Sequence, residues 1–130
     1  MPKTKVRPYP RSLLERMAET SGIILKARTL VALGMSELAL SAWLVAASAE
    51  EQVAPRLETL DREQEAAVHR ISAASCYQHA GELAKAINLY RAALAGPLPE
   101  PTRKETEQLL ADCLARFARS ANGNAATRRR

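Results

Sequence analysis

At 130 residues the chain is long enough for one domain with its own core, and its 47% apolar but only 4% aromatic content makes that core rich in alanine and leucine. Such a core suits closely packed helices rather than a sheet, and no run reaches the roughly 18 consecutive apolar residues that a membrane-spanning helix needs. The net charge of +5 sits at the ends: Lys3, Lys5, Arg7 and Arg11 open the chain, Arg116, Arg119, Arg128, Arg129 and Arg130 close it, and the body between them nets −4. Basicity therefore points to nucleic acid or an anionic surface only through the termini.

The first ten residues hold Pro2, Pro8 and Pro10 among basic residues, so residues 1–11 read as an irregular basic arm. No apolar stretch stands behind that arm, so no secretory signal is expected. Cys76 and Cys113 lack a partner motif and read as reduced thiols of a cytoplasmic protein. Ser12-Leu13-Leu14-Glu15 has the capping-box pattern and opens a first helix that runs to about Leu33. Thr20-Ser21-Gly22 is its weak point, where it kinks or divides.

Gly34 ends that helix and Ser36 caps the next. The second helix is expected from about Glu37 to Glu50, with Leu40, Trp43, Leu44 and Ala47 facing inward. Ser48-Ala49-Glu50-Glu51 repeats the capping pattern, and Pro55 marks a boundary nearby. A third helix then runs from Arg56 or Thr59 to Ala80, acidic at its start where the helix dipole favours anions. Gly81 closes it, and a fourth spans Leu83 to Ala95. Residues 95–101, with Gly96, Pro97, Pro99 and Pro101, form a linker. Thr102-Arg103-Lys104-Glu105 opens a fifth helix with Leu109, Leu110, Cys113, Leu114 and Phe117 on one stripe. Residues 12–119 are thus one helical domain, and residues 120–130 read as a disordered basic tail.

A shift of 47 residues lays Gly34 on Gly81, Ala27 on Ala74, Leu30 on Tyr77, Ala39 on Ala86, Trp43 on Tyr90 and Ala46 on Ala93. Small, bulky, glycine and aromatic positions match in kind. This order, with Pro97 and Pro99 after the second copy, resembles the tetratricopeptide repeat over residues 20–53 and 67–100. Two features depart from that family. Ile23 and Arg70 stand where its early aromatic belongs, and the spacing exceeds its usual period of about 34. The resemblance implies an all-α fold of about five helices, as two antiparallel hairpins plus a C-terminal capping helix.

The residues suggest little chemistry. His69, Cys76 and His79 share a helical stripe, yet no second cluster completes a zinc site, so no metal or cofactor is expected. Ser72 and Ser75 lie near the histidines without an orienting group or an oxyanion turn, so no catalytic residue is assigned. Glu50-Glu51 and Glu63/Glu65 fit solvated helix starts better than acid–base pairs. There is no glycine-rich phosphate loop, dinucleotide fingerprint or CxxC. Trp43 and Tyr90 read as core.

The resemblance implies function through the inner face of each unit's first helix. On this chain that face carries Ile24, Arg28, Val31 and Ala32, then Val68, Ile71, Ser75, Gln78 and His79. A mostly apolar groove suits a peptide or an amphipathic helix of another protein. Family members that hold chaperone tails use a clamp in which a lysine and an asparagine stand where this chain has Ile24 and Ile71, and Ser75, so that specialised activity is not expected. The expected role is a non-catalytic interaction module: an adaptor, assembly subunit or chaperone-like protein. Two units and a cap offer a small surface, which suits a homo-oligomer or a piece of a larger assembly. The alternative is nucleic-acid or anionic-surface binding through Lys3, Lys5, Arg7, Arg128, Arg129 and Arg130, the less favoured of the two.

Overall fold

The computed structural model describes the backbone of residues 8–128 and the side chains of residues 8–122. Five helices follow one another: α1 (Arg11–Ala32), α2 (Ser36–Thr59), α3 (Glu63–His79), α4 (Leu83–Leu94) and α5 (Glu100–Arg128). Each packs antiparallel on its neighbour in sequence, so α1, α3 and α5 run one way and α2 and α4 the other. No strand occurs among the described residues.

The turns are set by hydrogen bonding. At the end of α1, Met35 N–H donates to Leu30 C=O and Gly34 N–H to Val31 C=O. At the end of α3, Glu82 N–H donates to Tyr77 C=O and Gly81 N–H to Gln78 C=O. These are the paired bonds of a Schellman motif, and they need one residue in the left-handed region. Gly34 (φ 78°) and Gly81 (φ 82°) supply it. The two motifs match bond for bond at the 47-residue offset. A third copy ends α2, where Arg62 N–H donates to Leu57 C=O and Asp61 N–H to Glu58 C=O. Here Asp61 takes the left-handed conformation (φ 60°) without a glycine.

Several boundaries differ from the sequence reading. Helix α1 is continuous through Gly22, and a Cβ at that position would meet nothing within 4 Å. Helix α2 does not stop near Glu50 but continues through Pro55 to Thr59. Proline removes one ladder bond, at a cost of about 3 kcal/mol in a helix interior. Its ring is exposed, while Val53, Ala54 and Leu57 on either side are buried against Leu13 and Ala66. That packing holds the helix across the missing bond. Helix α3 consequently starts at Glu63, later than Arg56 or Thr59.

None of the expected caps forms as a cap. Ser12 lies inside α1 and accepts from Arg56, Ser48 lies within α2, and Ser36 and Thr102 are already helical. Glu100 and Pro101, read as linker, begin α5, where a proline sacrifices no intrahelical bond. Past Ser120 the backbone stays helical to Arg128.

Two apolar clusters hold the stack together. The larger joins Ala27, Ala39, Trp43, Ala46, Ala74, Cys76, Tyr77, Ala86, Tyr90 and Cys113 across all five helices. Alanines at the crossings let helix axes approach, and Trp43 and Tyr90 fill the space left between them. The smaller cluster, around Leu13, Val53 and Leu57, closes the far end of α1 and α2. Leu40, expected inside, is 44% exposed. The α5 stripe is also divided: Cys113 is fully buried while Leu114 and Phe117 face solvent.

Candidate binding face

The residues projected onto the α1 and α3 face fall into three environments. Ile24 and Ile71 are half-buried and lie against the larger core cluster, so each offers an edge rather than a whole side chain. Arg28 and Val31 are exposed, as are Ala32 and Val68. Ser75 and Gln78 are half-buried, and Gln78 Oε1 accepts a 2.7 Å hydrogen bond from the Tyr90 hydroxyl. Gln78 therefore positions the α4 aromatic. Burial pushes the Tyr90 phenol up to about 12, so it stays protonated and donates.

His79 ends α3. One face of its imidazole stacks on Trp43, with ring centroids 4.3 Å apart and planes 15° from parallel, while its edge reaches solvent. Partial burial lowers its pKa below the usual histidine value, and the guanidinium groups of Arg28 and Arg116 lower it further. These influences favour the uncharged ring.

The histidine–cysteine stripe of α3 does not act as one unit. His69 Nδ1 lies 3.0 Å from Glu50 Oε2, and Glu50 is only 5% exposed, so Glu50 is a buried acceptor within α2 and not a solvated helix start. Cys76 sits in the core with its thiol pushed up to about 12 by burial, helped by the Glu50 charge and opposed by Arg28. Burial also raises the Cys113 thiol, whose Sγ lies 3.8 Å from Leu83 C=O. Both stay protonated at neutral pH, which disfavours metal binding and nucleophilic attack. Among the described residues no group of three or more His, Cys, Asp or Glu is placed to hold a metal ion.

Sequence reasoning missed two features here. Arg103 donates to Leu94 C=O at 2.8 Å and to Gly96 C=O at 2.9 Å, satisfying carbonyls that the end of α4 leaves open. Arg116 on α5 helps to lower the pKa of His79 on α3, although α5 read as a capping helix.

Of the basic arms, Lys3, Lys5, Arg7, Arg129 and Arg130 lie outside the described residues, and Arg128 is described by its backbone alone. No helix among the described residues is long and apolar enough to cross a membrane. No family model matches the chain, and searches of curated proteins and of solved structures found no match.

Proposed function

We propose that this chain is a non-catalytic protein–protein interaction module of tetratricopeptide-like design, whose parallel helices α1 and α3 receive a segment of another protein. One observation carries this reading. The two glycine turns share one hydrogen-bond pattern at a 47-residue offset, followed by equivalent buried triads Ala39/Trp43/Ala46 and Ala86/Tyr90/Ala93. Such a repeat makes α2 and α4 the packing helices and turns one face of α1 and α3 outward together. On that face Val31 is 47% and Val68 45% exposed, beside the half-buried edges of Ile24 and Ile71. An apolar strip with polar residues along it suits an extended or helical segment.

Substituting both Val31 and Val68 by glutamate tests the reading. Surface changes of this kind alter stability by about 0.5 kcal/mol or less. The double variant should keep its helical circular dichroism and melting temperature. Affinity capture from native extract should then recover a nuclease-resistant partner with the parent chain and lose it with the variant. Equal capture by both would remove the α1/α3 face from the account. Loss of all captured material on nuclease treatment would favour the basic termini.

A further inference from the structure

The chain ahead of α1 is tied to the start of α3. Pro10 holds the backbone extended there (φ −58°, ψ 147°), and Tyr9 reaches across to α3. The Tyr9 hydroxyl donates to Glu65, and the Arg62 guanidinium carbon lies 4.0 Å from the Tyr9 ring centroid. Arg62 Nη1 in turn donates to Glu65 Oε1 at 2.9 Å. Tyr9 also packs against the smaller apolar cluster, so its place is fixed from two sides. It forms one wall of a cleft of about 580 Å³. Asp61 and Arg62 of the α2/α3 turn and the first two turns of α3, as far as His69, form the rest.

The charge of this cleft is unbalanced. Its lining holds three carboxylates, Asp61, Glu63 and Glu65, against the one guanidinium of Arg62, which is committed to Glu65 and Tyr9. His69 turns its Nδ1 to the buried Glu50. Asp61 and Glu63 are exposed, and among the described residues neither carboxylate has an ion pair. Two helix ends meet there. The positive end of α3 offsets part of the carboxylate charge, and the negative end of α2, at Thr59, adds to it.

The chain supplies its own complement. Residues 1–7 carry Lys3, Lys5 and Arg7 with no acid, and Arg7 is two residues from Tyr9 on the cleft wall. Extended, that segment reaches up to about 25 Å, against about 9 Å along α3 from Glu63 to His69. Exposed ion pairs are individually weak. A tether this short, however, holds the cations at an effective concentration on the order of millimolar, which favours the chain's own arm over a separate basic peptide.

We propose that residues 1–7 fold back into this cleft and seat Lys3, Lys5 and Arg7 against Asp61 and Glu63. Val68 lines both the cleft and the proposed binding face, so a seated arm competes there with a partner. That consequence rests on the α1/α3 reading, and the seating does not.

Carbodiimide cross-linking joins a lysine amine to a carboxylate that it touches. Applied to the full-length chain at low salt, it should link Lys3 or Lys5 to Asp61 or Glu63, and high salt should suppress the links. In an equal mixture of isotope-labelled and unlabelled chain, each linked pair should come from one chain. Amides of residues 3–7 should exchange more slowly than in an unfolded chain. Asp61→Asn/Glu63→Gln should release them while leaving the helical circular dichroism unchanged. A variant with Arg128, Arg129 and Arg130 changed to glutamine should behave like the parent. Arm amides exchanging at the unfolded rate in the parent would overturn the proposal, as would links that fall on Glu15, Glu19 or Glu105 instead. Links between labelled and unlabelled chains would overturn it in favour of a second copy's arm. For the competition, a Lys3→Gln/Lys5→Gln/Arg7→Gln variant should capture more partner than the parent. Equal capture, with the arm protected in the parent, would refute the competition and leave the seat standing.

Discussion

The two hairpins share a turn and a core triad yet differ in length and surroundings. The α1/α2 hairpin pairs helices of 22 and 24 residues, whereas α3/α4 pairs 17 with 12. Eight large apolar side chains of the first are exposed, from Leu14 to Val45, against Val68 alone in the second. The second hairpin is covered by α2 on one side and α5 on the other, whereas among the described residues the first packs extensively only against α3. Repeated local chemistry therefore sets the turn and the crossing, while position in the stack decides how much of each helix is covered.

The largest test of that equivalence is at its aromatics. Truncating either ring to alanine leaves a core cavity costing roughly 3–5 kcal/mol. Tyr90 is fully enclosed, whereas Trp43 is capped by the ring of His79, which itself has a wet edge. Tyr90→Ala should therefore cost more than Trp43→Ala in urea denaturation. A melting temperature unchanged by Trp43→Ala would mean that the ring does not fill an interhelical space.

The added length of the first hairpin is tested by Leu57, which is fully buried beyond Pro55. Leu57→Ala should cost about 2–5 kcal/mol. A cost below about 0.5 kcal/mol, typical of a surface change, would mean that α2 does not pack there.

The turns come next. Gly34→Ala and Gly81→Ala should each cost about 1–2 kcal/mol, because a Cβ is disfavoured in the left-handed region even with open space around it. Asp61→Gly should have the opposite sign, stabilising by up to about 1 kcal/mol, since it relieves the same conformation. Three effects of one sign would break the equivalence of the turns.

The smallest effect is in pH dependence. The folded-state pKa of His79 is lowered, so the unfolded chain binds its proton more readily. Its contribution to stability is complete above the unfolded value of about 6.5 and is lost as pH falls through that value toward the folded one. Arg28→Gln should raise the His79 pKa in an NMR titration and flatten this decline. A pKa that did not respond would separate Arg28 from the imidazole.

Residue spacing made the core legible. Trp43, Tyr90 and the alanines flanking them repeat with Gly34 and Gly81, and all lie where that repeat implies. What escaped was whatever depends on tertiary packing. Pro55 reads as a boundary because local propensity opposes it, yet Val53 and Leu57 bind both halves of α2 to the core. Asp61 hides the true end of α2 because a glycine signal is absent there. Glu50 looks solvated until α3 brings His69 against it. Capping boxes misled for a related reason: Ser12, Ser36, Ser48 and Thr102 satisfy a local pattern that the actual helix starts do not use.

The proposed docking of a partner on the parallel helices α1 and α3 can be read from their backbone amides. The most direct measurement is amide hydrogen exchange of the full-length chain with and without its captured partner. Slower exchange is expected in α1 near Ile24 to Val31 and in α3 near Val68 to His79. Protection confined to α2 and α4, or to the basic termini, would contradict it.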